Sequence, residues 1–174
     1  MFQTAAAGAF FAAWQALRTD GALPHSHALF QGLPSSLVPR LVILEQAPGD
    51  RYVVRFMGTA RVDIWGEEVT GRDSLELMSP ALAGIARRNL ATVLDHPCGL
   101  HQIGRYITPA GREAQTEHIT LPVGTDPGLP RRLMNFSEEI STIAYGAPGG
   151  EIQAALRREW LDIGSGLPAK PPAR

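Results

Sequence analysis

Between Arg51 and Met57 apolar and polar residues alternate along the chain, and what flanks that run limits the fold more than any other feature. The alternation places Tyr52, Val54 and Phe56 on one face of a strand, with Val53, Arg55 and Met57 on the other. Ahead of it, Leu41–Ala47 reads as a strand joined through the turn Pro48-Gly49-Asp50. Behind it, Thr59–Trp65 and Ser74–Met78 fit short helical pieces. Ser79 and Pro80 then suit the cap and first turn of a helix running to Asp95. On that helix Leu82, Ile85, Ala86, Asn89, Leu90 and Val93 share one face, as a helix lying on a sheet requires. Three more strands follow, Cys98–Thr108, Glu113–Val123 and Arg132–Ser141, with turns at Pro109–Arg112 and Asp126-Pro127-Gly128. A helical block inserted between the second and third of five antiparallel strands defines an α+β domain, its sheet covered by helices on one face.

The two ends add flanking elements. Thr4–Asp20 has helical spacing, with Thr4 as N-cap and Gly21 as its stop, so residues 1–22 form an N-terminal helix. Its stripe of Phe10, Trp14 and Leu17 has two readings, a cap on its own domain's core or the interface of a homodimer. Leu23–Arg40 is punctuated by Pro24, Pro34 and Pro39 and reads as turns. Ile152, Leu156, Trp160 and Ile163 have the spacing of one helix face, which predicts a second flanking helix over residues 150–163. The Gly/Pro-rich residues 164–174 read as a disordered tail.

The stretch Gly58–Arg72, GTARVDIWGEEVTGR, supplies a more specific clue. Gly58-Thr59 closes the second strand, Gly66 ends the short helix, and Thr70-Gly71-Arg72 makes the turn behind it, with Gly71 expected in a left-handed conformation. Together with the element order, this resembles the GT…G…TGR signature of a bacterial PAS subfamily common in alphaproteobacteria. The resemblance covers Leu33–Ile140, within a domain spanning residues 33–142. It implies a five-stranded PAS fold and a stand-alone, non-enzymatic sensor or adaptor in bacterial signalling, binding a small apolar ligand, a signalling-protein partner, or both. It also implies a cavity under the helices, for which Phe56, Ile64, Trp65, Leu75, Ile85, Leu90 and Phe136 are the candidate lining residues.

The cofactors of other PAS domains fit poorly. A haem type would place a histidine on the long helix, and Leu82–Asp95 has none. A flavin photosensor would need a cysteine in the short-helix region, and none lies between Gly58 and Gly84. No cofactor is therefore expected. The main alternative is a nuclear-transport-factor-like small isomerase, dehydratase or ligand carrier, although such chains place their helices before a curved sheet. A purely structural dimer module is the third reading.

Composition narrows the function classes further. A chain of 174 residues that is 44% hydrophobic suffices for one core, and a net charge of -1 from 16 basic and 17 acidic residues offers no nucleic-acid surface. Cys98 is the single cysteine, so no intrachain disulfide or multi-cysteine metal site forms, and a reducing cytoplasmic setting is expected. The apolar run Ala5–Trp14 lacks a preceding basic segment and is too short to span a bilayer. His25 and His27 have a metal-compatible spacing but no carboxylate or thiol nearby in sequence. His101 and His118 fall on strands that should pair, and alternation sends Glu117 and His118 to opposite faces. No nucleophile elbow, phosphate loop or dinucleotide fingerprint is present.

Overall fold

The computed structural model describes residues 1–107, 111–146, 151–152 and 155–173. Four α-helices accompany the sheet: α1 (Ala5–Ala16), α2 (Ser26–Gly32), α3 (Thr59–Trp65) and α4 (Pro80–Asp95). The strands are β1 (Leu41–Ala47), β2 (Arg51–Met57), β3 (Gly99–Ile107), β4 (Glu113–Val123), β5 (Arg132–Ala144), β6 (Glu151–Ile152) and β7 (Arg157–Leu161). They form one antiparallel sheet in the order β2-β1-β5-β4-β3, and β6 and β7 both lie along the outer edge of β3. The predicted Pro109–Arg112 turn falls partly outside the described residues.

The five-strand α+β expectation holds for β1 to β5, and the sixth lane is the addition. Residues 151–152 and 157–161 pair with β3 instead of forming the second flanking helix, while residues 150, 153 and 154 lie outside the described residues. The physical reason is the edge of β3, whose backbone groups pair with any extended chain that reaches them. The helical spacing from Ile152 to Ile163 hid a two-residue alternation in which Trp160 joins the cavity-side cluster while Leu161 packs toward the other.

Helices cover both faces of the sheet, not the single face expected, because the apolar stripe of α1 packs on the second one. On one face α1 and α2 close a core in which Phe10, Trp14 and Leu29 meet Ile119, Met134 and Phe136, all fully buried. The Thr4 side chain caps α1 by accepting from the Ala7 N–H at 3.1 Å. Phe10 stacks on Phe136 with ring centroids 5.0 Å apart, and the Arg18 guanidinium lies over Trp14. The stripe expected as a dimer interface is thus spent inside its own chain, with Phe10 and Trp14 at 0% exposure and Leu17 packed beside them. On the opposite face α3, the turn Ser74–Leu77 and α4 cover Leu44, Tyr52, Val54, Leu100 and Leu133.

One bulge decides which face Phe56 takes. The β1–β2 register runs Ile43 to Phe56 and Leu44 to Val54, so Arg55 is the extra residue. Tyr52 and Val54 face α4 as alternation predicts, but the bulge shifts the phase by one residue. Phe56 therefore turns to the α1/α2 face, where it meets Phe30 edge-on at 5.0 Å, and Met57 takes its place toward α4.

The Gly58–Arg72 stretch serves as a hinge between sheet and helices. A Cβ on Gly58 would lie 2.3 Å from the Pro39 carbonyl oxygen, so only glycine lets β2 run into α3 at that point. Gly66 caps the C-terminus of α3, with its N–H donating to Val62 O. Gly71 has φ +90°, the left-handed conformation expected there, and it returns the chain to β2. Gly71 N–H donates to Val54 O at 2.8 Å, and Val54 N–H donates to Arg72 O at 3.0 Å.

Candidate functional site

Between the sheet and the α3/α4 layer lies a cavity of about 220 Å³. Its helical roof is mostly apolar, with Ile64 and Trp65 from α3 and Leu82, Ile85, Ala86 and Leu90 from α4. The floor is different. Strand pairing aligns Arg158 on β7 with Gln102 on β3, Gln102 with His118 on β4, and His118 with Ser137 on β5. These four form a polar row across the sheet, one side chain per strand. Arg61, from the first turn of α3, reaches its end and donates to Ser137 Oγ at 2.9 Å. A second row, Leu100, Thr120, Asn135 and Val42, runs beside it, with Asn135 Nδ2 donating to Thr120 Oγ1 at 2.9 Å.

The electrostatics of this wall are one-sided. Among the described residues no aspartate or glutamate lines the cavity, whereas Arg61, Arg105 and Arg158 do. Arg105 pairs with Glu113. Burial lowers the pKa of both Arg61 and Arg158, and no carboxylate offsets it at either. His118 is pushed down to about 3, first by burial and then by Arg61 and His101, so it stays neutral; one ring nitrogen lies 2.8 Å from Thr116 Oγ1. Among the described residues, four buried side-chain atoms of cavity residues lack a hydrogen-bond partner in the protein: Arg61 Nε, Ser74 Oγ, Arg105 Nε and Arg158 Nε. Polar atoms of that kind are costly unless something pairs with them. Tyr106 OH sits close to the guanidiniums of Arg61 and Arg112.

The C-terminal segment is held by two residues of the cavity wall, Asn89 and Arg158. Residues 164–173 form no helix or strand, yet they are anchored rather than free. Asn89 holds Ala173 at both ends of its side chain, accepting from the Ala173 N–H at 2.7 Å and donating to its carbonyl at 3.2 Å. Arg158 donates to the same carbonyl, Trp160 Nε1 to Lys170 O, and His96 Nε2 lies 3.1 Å from Gly166 O. Asn89 is 2% exposed on the apolar face of α4, and it is both a cavity wall and a latch for the tail.

Of the seven lining candidates read from sequence, Ile64, Trp65, Ile85 and Leu90 stand on the cavity wall. Leu75 is buried in the same cluster but not on the wall. Phe56 and Phe136 lie on the opposite face, the first because of the bulge and the second because Asn135 takes the cavity-facing position on β5. Sequence reading missed Arg61, Gln102, Asn135 and Arg158. The usable signals were a polar Asn89 within an apolar helix face and the alternation that left His118 free to face inward.

The remaining chemistry-bearing residues lie elsewhere. His101 is buried on the α1 side, its Nε2 2.7 Å from Glu117 and its Nδ1 2.8 Å from Glu159. Glu117 also accepts from the Gln3 and Thr4 N–H groups, each at 2.7 Å, which ties the start of α1 to β4. Burial pushes the Glu117 carboxyl up, but these hydrogen bonds outweigh it and hold it below the ordinary carboxylate value. Cys98 is buried away from the wall, and burial raises its thiol to about 11. His25 lies 3.6 Å from Asp126, and among the described residues no three His, Cys, Asp or Glu side chains gather as a metal site would. No helix among the described residues is long and apolar enough to cross a membrane.

An antiparallel sheet with a helical crossing after its second strand and a cavity beneath that crossing is the architecture of a PAS domain. The pattern of the family described as PAS domain matches residues 2–136, and the chain belongs to that family. The match takes in all of α1, in keeping with the packing of that helix in the domain's own core. This fold also removes the nuclear-transport-factor-like alternative.

Among solved structures, the chain is similar to the LOV protein of Rhodobacter sphaeroides, at 16% identity over 58% of each chain with a TM-score of 0.46. It is similar to the PAS domain of Bordetella pertussis BvgS, at 20% identity over 59% of this chain and 78% of that one with a TM-score of 0.45. It is also similar to the light-state Aureochrome1 LOV structure, at 11% identity over 61% and 84% with a TM-score of 0.47. The chain spans less than two thirds of the Rhodobacter protein. No curated protein matches it.

Proposed function

We propose that the protein is a bacterial, cytoplasmic, non-enzymatic PAS sensor or adaptor of the subgroup marked by the GT…G…TGR signature. A small molecule in the cavity sets the docking of the C-terminal segment, and that segment carries the change to a signalling partner. The observation behind this reading is that Asn89 and Arg158 belong to the cavity wall and also hold Ala173. Whatever occupies the cavity touches the anchors of the tail, so occupancy and tail docking share one equilibrium. Among the described residues the one hydroxyl bonded to the cavity histidine, Thr116 Oγ1 on His118, is buried behind the wall and not open to the cavity, which favours binding over turnover. A homodimer, also expected from sequence, needs a surface other than the buried α1 stripe.

The test substitutes for the ligand. Ala86→Phe places a ring in the cavity, and hydrogen exchange then reads the backbone of residues 164–173. A changed protection of that segment, with the α1-side strands unaffected, is the expected result. Unaltered tail protection in a folded variant contradicts the link between cavity and tail.

A further inference from the structure

The charge and shape of the cavity define the kind of molecule it takes. Among the described residues no carboxylate acts on two of its arginines, Arg61 and Arg158, and each keeps an unpartnered buried Nε. They stand at opposite ends of the polar row formed by Gln102, His118 and Ser137. A guanidinium in a water-poor site is most favourably paired with an anion whose oxygens match its fork of donors, as a carboxylate does. Opposite that floor the roof presents Trp65, Ile85 and Leu90, which offer an apolar surface and no charge. The volume is below the roughly 300–1,000 Å³ of sites for drug-sized ligands.

We infer that the cavity binds a small amphipathic monocarboxylate, its carboxylate on Arg61 at the polar floor and its aliphatic or aromatic body against Trp65, Ile85 and Leu90. The inference rests on the ligand-sensing reading above and adds the chemical class of the ligand. Arg61 is the preferred seat because its other contact is a neutral hydroxyl, Ser137 Oγ, whereas Arg158 also donates to the tail at Ala173 O. A bound anion would offset the cost of burying the Arg61 charge, which a neutral isostere would leave in place.

The experiment uses the full chain and four probes of matched shape: octanoate and phenylacetate, and the uncharged octanamide and phenylacetamide. Calorimetric titration should show each carboxylate binding about tenfold or more tighter than its amide, the difference expected of one charge-assisted interaction. Arg61→Gln should erase that preference while leaving the weaker amide binding in place. Arg61→Lys, which keeps the charge but loses the fork, should retain part of it. Arg158→Gln serves as a second variant and should weaken the preference less. Amides binding as tightly as carboxylates, or a preference untouched in folded Arg61→Gln, overturn the carboxylate inference and leave the ligand-sensing reading standing. Failure of all four probes, with no small mass carried by protein purified from its own host, overturns both.

Discussion

The two faces of this sheet are built from alternate residues of the same strands, yet they differ in kind. On the α1/α2 face the large side chains interlock, and the buried charges are paired: Glu45 with Arg55 and Arg132, and Glu117 with His101 and the start of α1. On the α3/α4 face a cavity remains, and two of its three arginines, Arg61 and Arg158, have no carboxylate partner among the described residues. The α1/α2 face leaves Trp14 Nε1 unpartnered and a shallow hollow beside Phe30 and Phe56, whereas the orphaned polar atoms of the other face gather around one cavity. A face that leaves space and polar atoms open is organised for something other than the protein itself.

Equilibrium unfolding in denaturant separates the faces most sharply. Phe136→Ala, which removes the ring stacked on Phe10, should cost about 3–5 kcal/mol. A loss below about 1 kcal/mol would mean the closed face is not the close-packed one. Glu117→Gln should cost less, about 1–3 kcal/mol, through the hydrogen bonds from His101, Gln3 and Thr4. Gly71→Ala, which forces a side chain into a left-handed turn on the cavity side, should cost about 1 kcal/mol or somewhat more. Ile85→Ala should be mildest, below about 1 kcal/mol instead of the usual about 2–5 kcal/mol, because its side chain already borders open volume. A cost for Ile85→Ala equal to that of Phe136→Ala would erase the contrast.

Stability against pH gives the two faces separate windows. His118 is held at about 3 in the fold and has an ordinary value of 6.5, so the unfolded chain takes up that proton first. Stability should therefore begin to fall as pH drops below 6.5, through the cavity face. Glu117 and Glu159 are held below the ordinary value of 4.5, so their contribution is fully present above it and is lost as pH falls through the lowered values. His118→Gln should flatten the upper window alone, and Glu117→Gln the lower one. Denaturant midpoints collected from pH 7 to pH 3 check both.

The contrast also explains what the sequence disclosed. The order of β1 to β5 with helices after β2 follows from periodicity and turn residues, which are local properties. The face of Phe56 does not, because one extra residue at Arg55 reverses the phase and no single-strand pattern marks it. The C-terminal strands were hidden for a related reason: Ile152, Leu156 and Trp160 repeat as a helix would, while the feature that claims them is the open edge of β3, far away in sequence. Half of the cavity was legible as the apolar face of α4. Its polar floor was not, since Arg158, Gln102, His118 and Ser137 become neighbours only through the register of four strands.

Native mass spectrometry of the full chain purified from its own host tests the central claim most directly, because it reads bound mass and oligomeric state together. Wild-type protein should carry a small non-covalent mass that is absent from Ala86→Phe, in which the added ring occupies the cavity bordered by Ile85 and Leu90. A wild-type spectrum showing only the bare chain, or a bound mass that persists unchanged in the folded Ala86→Phe variant, would contradict the assignment of this cavity as the sensing site.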